Sequence, residues 1–88
     1  MRRSRLEIIN EMLLEIQKKG GKIKQTHLMY KANLSYKLLI AYLSELISKG
    51  LIKEIIEGNN KFLVLTDRGR EFILTFKKMI NFKETFGI

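Results

Sequence analysis

At 88 residues, with 45% hydrophobic and 30% charged residues, the chain is long enough for one globular domain and too short for a second hydrophobic core. Seventeen Lys and Arg against nine Asp and Glu give a net charge of +8, which attracts polyanions, nucleic acid first and an acidic membrane second. The absence of cysteine and a longest apolar run of six residues exclude disulfides and cysteine-based zinc sites and argue against a membrane span or signal peptide, so we expect a soluble, cytoplasmic protein.

The first predicted element is a helix preceded by a basic arm. Three arginines lie within residues 1–5, and Ser-Arg-Leu-Glu at 4–7 matches a capping box. Apolar residues at three- and four-residue spacing carry the helix over about 5–19, where lysines and then glycines stop it. Lys-Ile-Lys at 22–24 then predicts a short edge strand.

A helix-turn-helix follows. Thr26 predicts the N-cap of a short helix over about 27–32, which ends near Asn33. Ser35 predicts the N-cap of a longer helix from residue 36 to residue 49. Two helices joined by about three residues form this motif.

The second half of the chain predicts a hairpin and a last helix. Gly50 ends the third helix, and the β-rich runs 51–56 and 62–65 flank a Gly-Asn-Asn turn. Thr66 then caps a helix that its apolar pattern carries to about Phe86. The fold is therefore mainly α with a small β-hairpin, in the winged helix-turn-helix order α-β-α-α-β-β-α.

Four strings resemble the small archaeal winged-helix DNA-binding proteins: Tyr-Lys-Ala-Asn-Leu-Ser-Tyr at 30–36, Tyr-Leu at 42–43, Lys-Gly-Leu-Ile at 49–52 and Leu-Thr-Asp-Arg-Gly at 65–69. The resemblance is greatest to the crenarchaeal chromatin-associated proteins, which dimerise through a long C-terminal helix as an antiparallel coiled coil. It implies a nucleoid-associated protein of chromatin organisation or transcriptional regulation. Together with the charge and apolar patterns, it predicts three regions: a basic arm at 1–5, a winged helix-turn-helix domain at 6–66 and a dimerisation helix at 67–88.

The third helix has two predicted faces. Helical spacing assigns one arc to the core: Tyr36, Leu39, Leu43, Leu46 and Ile47. The opposite arc, which a helix-turn-helix lays into the major groove, holds Lys37, Ala41, Ser44 and Ser48. This arc has no Arg, Asn or Gln, the residues that with Lys most often read base edges, so we expect only modest sequence specificity.

Leu38 and Ile40 flank the outward arc, where the related proteins carry polar or basic residues. Two interpretations compete: contact with thymine methyl groups in the groove, or packing against the first helix, the hairpin or another protein, which we favour. The second interpretation keeps open an alternative function, a winged-helix module for protein–protein interaction that uses the Leu38/Ile40 face.

The sequence offers more side chains suited to phosphate contacts than to base contacts. Residues 18–49 carry seven lysines against one acidic residue, Glu45, as expected of a protein that binds the DNA backbone. Two interpretations of the arginines at 2, 3 and 5 compete: a short mobile arm that lies in an adjacent minor groove or along phosphates, or a disordered, solubilising tail. The candidate DNA-binding residues are Arg2, Arg3, Arg5, Lys22, Lys24, Thr26, Lys31, Ser35, Lys37, Ala41, Ser44, Lys49 and Lys61.

The sequence gives little support for catalysis or for metal binding. His27 is the only histidine, and no cysteine accompanies it, so we expect no metal site and no catalytic site. We expect no cofactor, no small-molecule ligand and no membrane binding. The tyrosines at 30, 36 and 42 are interpreted as core residues rather than as stacking platforms. At the hairpin tip, Asn59 and Asn60 are interpreted as turn residues with positive φ.

The last helix predicts a homodimer. Its apolar residues cover an arc of about 180°, whereas packing within one domain needs little more than about 100°. The alternative is a monomer in which this helix packs wholly on the first helix. The predicted dimer interface contains Phe72, Phe76, Met79, Ile80, Lys83 and Phe86.

Overall fold

The computed structural model describes residues 3–88 and places four helices and three strands among them in the predicted order. The elements are α1 (Arg5–Lys18), β1 (Lys22–Lys24), α2 (Gln25–Lys31), α3 (Tyr36–Ser48), β2 (Ile52–Glu57), β3 (Asn60–Leu65) and α4 (Asp67–Phe86). The predicted fold class is therefore confirmed, and each boundary lies within two residues of the expected one.

Side-chain oxygens cap α1, α3 and α4 as predicted. The Ser4 hydroxyl accepts from the Glu7 amide and the Ser4 amide donates to the Glu7 carboxylate, each at 3.1 Å. The hydrogen bond from the Ser4 backbone holds the pKa of Glu7 below its ordinary value. The Ser35 hydroxyl accepts from the Leu38 amide at 3.3 Å. These local contacts explain why the starts of these helices are readable from the sequence.

Thr26 does not cap α2, and that prediction is wrong. The helix begins at Gln25, with Lys24 at the N-cap and no capping side chain. Thr26 is an exposed residue of the first turn. Because β1 runs directly into α2, Lys24 already has the extended backbone that an N-cap needs, so the pairing of β1 decides where the helix starts.

We expect Thr66→Val to lower the free energy of unfolding by about 1–2 kcal/mol, because the Thr66 hydroxyl serves three backbone groups. It accepts from the Gly69 amide at 3.0 Å and lies 2.6 Å and 2.9 Å from the carbonyl oxygens of Gly50 and Leu51. Urea unfolding followed by circular dichroism measures the loss. Thr26→Val is the matched control and should change stability by less than about 0.5 kcal/mol. Equal losses in the two variants would contradict the assignment.

The strands form one antiparallel sheet in the order β1-β3-β2. β2 and β3 pair from Ile52↔Leu65 to Glu57↔Asn60, and β1 pairs with β3 around Ile23↔Leu63. Successive side chains point to opposite faces, so one face packs against the helices. The other face, here called the outer sheet face, carries Lys22, Lys24, Lys53, Ile55, Glu57, Asn60, Phe62 and Val64.

The core lies between α1, α3 and the inner face of the sheet. Its most deeply buried side chains are Met12, Leu13, Ile16, Leu28, Leu39, Leu46, Ile52 and Leu63. This single cluster positions α3 with its opposite side in solvent, which is the arrangement that the candidate site requires.

Within α4, only the part up to Ile80 has buried or half-buried side chains. Ile73 is buried, and Phe72, Phe76 and Ile80 are half-buried. Every residue from 81 onward is exposed, and the molecule measures 49 × 27 × 22 Å. The end of α4 therefore carries apolar side chains that nothing within residues 3–88 covers.

Candidate nucleic-acid interface

The side of α3 opposite the core is exposed, as its spacing predicted. We call this side the outward face of α3, and its residues are Lys37, Ala41, Ser44 and Ser48. The face presents one cation, two hydroxyls and one methyl group, and it has no other charged group. Its surface is compatible with a major groove and poor in groups that discriminate bases.

Leu38 and Ile40 are exposed, with 48% and 40% of their surfaces accessible. The favoured interpretation is therefore wrong as far as packing against the first helix or the hairpin is concerned, and packing against another protein stays a prediction. Helical spacing placed them at the flanks of the outward arc, and neither α1 nor the hairpin buries them. These two side chains are therefore available for contact with DNA or with another protein.

A groove of about 440 Å³ separates α3 from the hairpin. Tyr36, Ile40 and Ile47 line its helical side, and Glu54 and Lys61 line its hairpin side. The ammonium of Lys61 lies 3.4 Å from the carboxylate of Glu54, so the hairpin side carries no net charge. The predicted phosphate contact of Lys61 competes with this ion pair.

The hairpin tip differs from its prediction in one detail. Gly58 and Asn59 form a two-residue loop between the paired residues Glu57 and Asn60. Only Gly58 of these has a positive φ, +61°, so neither asparagine is required for the left-handed backbone. A glycine alone at the first loop position satisfies the turn.

Two tyrosines lie at the helix-turn-helix turn and not in the core. Tyr30 and Tyr36 are 77% and 64% exposed, so the core interpretation is wrong for both, whereas Tyr42 packs against the core as predicted. Periodicity placed Tyr36 on the core arc, but its side chain lies exposed at the groove between α3 and the hairpin. Tyr30 and Tyr36 each precede a lysine, Lys31 or Lys37, so two phenolic hydroxyls and two ammonium groups flank the turn. Periodicity missed the exposure of these hydroxyls, for which the Tyr-Lys pairs were the available signal.

Arg3 is fixed on the turn between α2 and α3. Its guanidinium donates to the carbonyl oxygens of Ala32 at 2.8 Å and Asn33 at 3.1 Å. It also pairs with the carboxylate of Glu11 on α1. Asn33 holds a left-handed backbone, φ +54°, so Arg3 ties α1 to the residue at which the chain reverses.

Arg5 is likewise not part of a mobile arm. It is the first residue of α1, and its guanidinium pairs with Glu45 of α3. The mobile-arm prediction is therefore wrong for Arg3 and Arg5, because acceptors distant in sequence lie within reach of both. Arg2 lies outside the described residues.

The predicted DNA-binding lysines lie on two sides of the molecule. Lys31, Lys37 and Lys49 lie at the ends of α2 and α3, exposed and without an ion-pair partner in the described part of the chain. Lys22 and Lys24 lie on the outer sheet face, because Ile23 between them is buried toward the helices. The structure therefore does not bring these two lysines to the outward face of α3.

Three further residues predicted to bind DNA carry hydroxyl groups. Ser35 is exposed, and its side-chain oxygen already accepts the Leu38 amide. Ser44 is exposed on the outward face, and Thr26 is exposed in the first turn of α2. Ser35 and Thr26 stand near backbone amides at helix starts, where hydroxyls and amides contact phosphates in protein–DNA complexes.

Residues 3–88 offer neither a metal site nor a membrane span. They contain no cluster of three His, Cys, Asp or Glu side chains that could bind a metal ion. None of the helices in that range combines the length and the apolar character needed to cross a membrane.

Comparison with known proteins gives consistent matches. A family model described as winged helix-turn-helix matches residues 2–84. An uncharacterized protein of Methanocaldococcus jannaschii is 40% identical over 70 residues, which cover 80% of this chain. The chain spans 66% of that relative's length, slightly less than two thirds.

Solved structures share the fold. Sso10a-2, a DNA-binding protein from Sulfolobus solfataricus, aligns with a TM-score of 0.79 and 23% identity over 96% of this chain and 85% of its own. F93 from STIV, a winged-helix DNA-binding protein, aligns with a TM-score of 0.75 and 18% identity over 93% and 92%. The PcaV transcriptional regulator from Streptomyces coelicolor aligns with a TM-score of 0.80 and 16% identity over 90% and 60%.

Proposed function

Because the chain belongs to the winged helix-turn-helix family, we propose that it binds double-stranded DNA as a homodimer, with α3 as the recognition helix. The observation that carries the proposal is the exposed outward face of α3, flanked by Lys31 and Lys49, on a core that leaves this side free. The family assignment agrees with the predicted resemblance to small archaeal winged-helix proteins. It also agrees with the prediction of a non-enzyme, since these proteins are typically non-enzymatic regulators.

Most of the affinity comes from phosphates. Lys31, Lys37 and Lys49 neutralise backbone charges, and the hydroxyls of Tyr30 and Tyr36 donate to phosphate oxygens beside them. Ala41 offers a methyl group to thymine, and Ser44 offers one hydroxyl to a base edge. With no Arg, Asn or Gln on the outward face, discrimination between sequences is modest.

We expect duplex affinity to fall steeply with salt and Lys31→Glu with Lys37→Glu to weaken it roughly tenfold or more at low salt. Each lost phosphate contact should also reduce the slope of log K against log salt by about one. Fluorescence anisotropy with a labelled duplex over a salt series measures both. The charge-matched control is Lys77→Glu with Lys78→Glu on α4, away from α3.

Two outcomes would count against DNA binding. A duplex affinity that does not change with salt would contradict binding through phosphates. The same loss in the α4 control as in the α3 variant would show attraction by net charge alone, without a binding face.

The dimer of this proposal forms through α4. Met79, Phe82 and Phe86 are exposed, and the pairs Phe72–Phe76 and Phe82–Phe86 have ring centroids 6.1 Å and 4.9 Å apart. A second α4 laid along this seam would cover these rings, with Lys83 as its one polar position. Two recognition helices would then be held at a fixed spacing.

The biological role that follows is DNA organisation or transcriptional regulation at the nucleoid. Modest specificity with many phosphate contacts suits a protein that covers many sites, and a fixed pair of recognition helices suits a regulator of palindromic sites. Genome-wide occupancy distinguishes these roles, because the first predicts broad coverage and the second predicts discrete peaks.

The exposure of Leu38 and Ile40 favours a second candidate, a module that docks onto another protein through this pair. Replacing both with Lys separates the candidates within the same anisotropy assay. Stronger DNA binding by a folded variant favours the recognition-helix role, because the variant adds two cations beside the outward face of α3, where they can contact phosphates. Unchanged DNA binding together with loss of a protein partner favours docking.

A further inference from the structure

We propose that the outer sheet face is a second binding surface for the phosphates of duplex DNA, separate from the outward face of α3. The inference rests on the proposed DNA-binding function and adds a contact region to it. Lys22 and Lys24 belong to this surface, and Lys53, which the sequence analysis did not select, joins them.

Strand register brings these lysines together. Val64 of β3 pairs with Lys22 on one side and with Lys53 on the other, so the three side chains stand in one row across the sheet. Lys24 lies two residues beyond Lys22, in the next row beside Phe62. Strand geometry separates the two lysines of β1 by about 7 Å and those of the first row by about 10 Å.

The charge of this surface is almost entirely of one sign. Glu57 is the one carboxylate that the register places on it, and it pairs with Lys22 at 2.6 Å. Lys24 and Lys53 are exposed and pair with no carboxylate among residues 3–88. Like charges at this spacing repel one another, and an anion with regularly spaced charges relieves that repulsion.

The apolar centre of the surface favours DNA over an acidic membrane. Phe62 and Val64 are half-buried, and the ammonium of Lys22 lies 4.7 Å from the centroid of the Phe62 ring. A lipid-binding surface projects apolar side chains into the bilayer, whereas here a lysine covers the aromatic ring. A row of lysines around a half-buried apolar centre suits a phosphate backbone, which needs neither insertion nor base contacts.

The two DNA surfaces face different directions. Ile23, Leu63 and Ile52 on the inner side of the sheet are buried against the helices, so the outer lysines point away from the core that carries α3. A duplex bound to the sheet is therefore a different DNA segment from the one whose major groove holds α3. Alternatively, both surfaces bind one duplex that curves around the domain. Either arrangement lets one chain hold two stretches of duplex.

The test is an NMR titration of the full chain with a short duplex at low salt. We expect amide shifts both on the outward face of α3 and at Lys24, Ile55 and Phe62. Lys24→Glu with Lys53→Glu should remove the shifts on the sheet and keep those on α3, with about a tenfold loss of affinity on the sheet. Glutamate keeps a charge on the edge strand, so the variant retains its protection against strand pairing.

Two matched variants complete the design. Lys31→Glu with Lys37→Glu should remove the α3 shifts and keep those on the sheet, and Lys77→Glu with Lys78→Glu should keep both sets. If wild type shows shifts on α3 alone, or if the sheet shifts persist in the sheet variant, the inference is overturned and the proposed function stands. If neither set appears, both fail. Binding of anionic vesicles through the same lysines, without any response to duplex, would also overturn the inference.

Discussion

Gly69→Ala should lower the free energy of unfolding by about 3 kcal/mol or more, although alanine ordinarily stabilises a helix by about 1 kcal/mol relative to glycine. A Cβ at this position would lie 2.6 Å from Cδ1 of Leu65 and closer still to the carbonyl oxygen of Leu51. That carbonyl cannot move freely, because it accepts the Thr66 amide at 3.2 Å and lies 2.9 Å from the Thr66 hydroxyl. The methyl group therefore forces α4 away from the chain that leaves α3.

Gly58→Ala is the matched control for this substitution. Gly58 has φ +61°, and a Cβ there would meet no neighbouring atom within 4 Å, so the cost is the left-handed backbone alone, about 1 kcal/mol. Thermal unfolding by circular dichroism distinguishes the two, because about 3 kcal/mol corresponds to a shift of roughly 12–24 °C in a domain of this size. Equal shifts in the two variants would mean that α4 is not held tightly at Gly69.

Phe82→Glu with Phe86→Glu should abolish the dimer at micromolar concentration, raising its dissociation constant at least about 100-fold, since buried aromatic anchors dominate interface energies. The two side chains are 56% and 65% exposed in the single chain, so their replacement removes little intrachain packing. The monomer should therefore remain folded, with stability changed by less than about 1 kcal/mol. Sedimentation equilibrium should give the 10.4 kDa of one chain for the variant and twice that mass for the wild type.

Leu74→Glu provides the control on the same helix. Leu74 is 59% exposed, close to the two phenylalanines in accessibility, but helical geometry places it on roughly the opposite side of α4 from the proposed seam. This variant should remain dimeric. A wild-type mass of one chain, or dissociation by Leu74→Glu as complete as that by the phenylalanine variant, would remove the α4 dimer from the proposal.

Local signals account for most of the fold that could be predicted. The Ser4 capping box, the Ser35 and Thr66 caps and the left-handed Asn33 all depend on groups within about four residues of one another. Helical periodicity also assigned Leu39, Leu43 and Leu46 of α3 to the core correctly. A single sequence contains these signals in full, so the order of elements could be read from it.

Predictions that needed knowledge of neighbouring elements succeeded less often. Periodicity placed Tyr36 on the core arc because it cannot tell how far the next element extends, and the hairpin leaves this side chain 64% exposed at the edge of a groove. Thr26 has the chemistry of a cap, yet the strand before it moves the helix start to Gln25. Spacing alone also could not show that Leu38 and Ile40 would stay exposed, because that depends on where α1 and the hairpin end.

The sequence by itself determined the element order, the helix caps, the basic character and the family, because each depends on residues close in the chain or on composition. The tertiary structure alone decided which charged groups are already engaged and which side of the molecule the others occupy. Arg3 meets Ala32, 29 residues away, and Lys22 meets Glu57, 35 residues away. Such pairings depend on how the sheet and helices pack together, since that packing sets the distance between charges that the sequence keeps far apart.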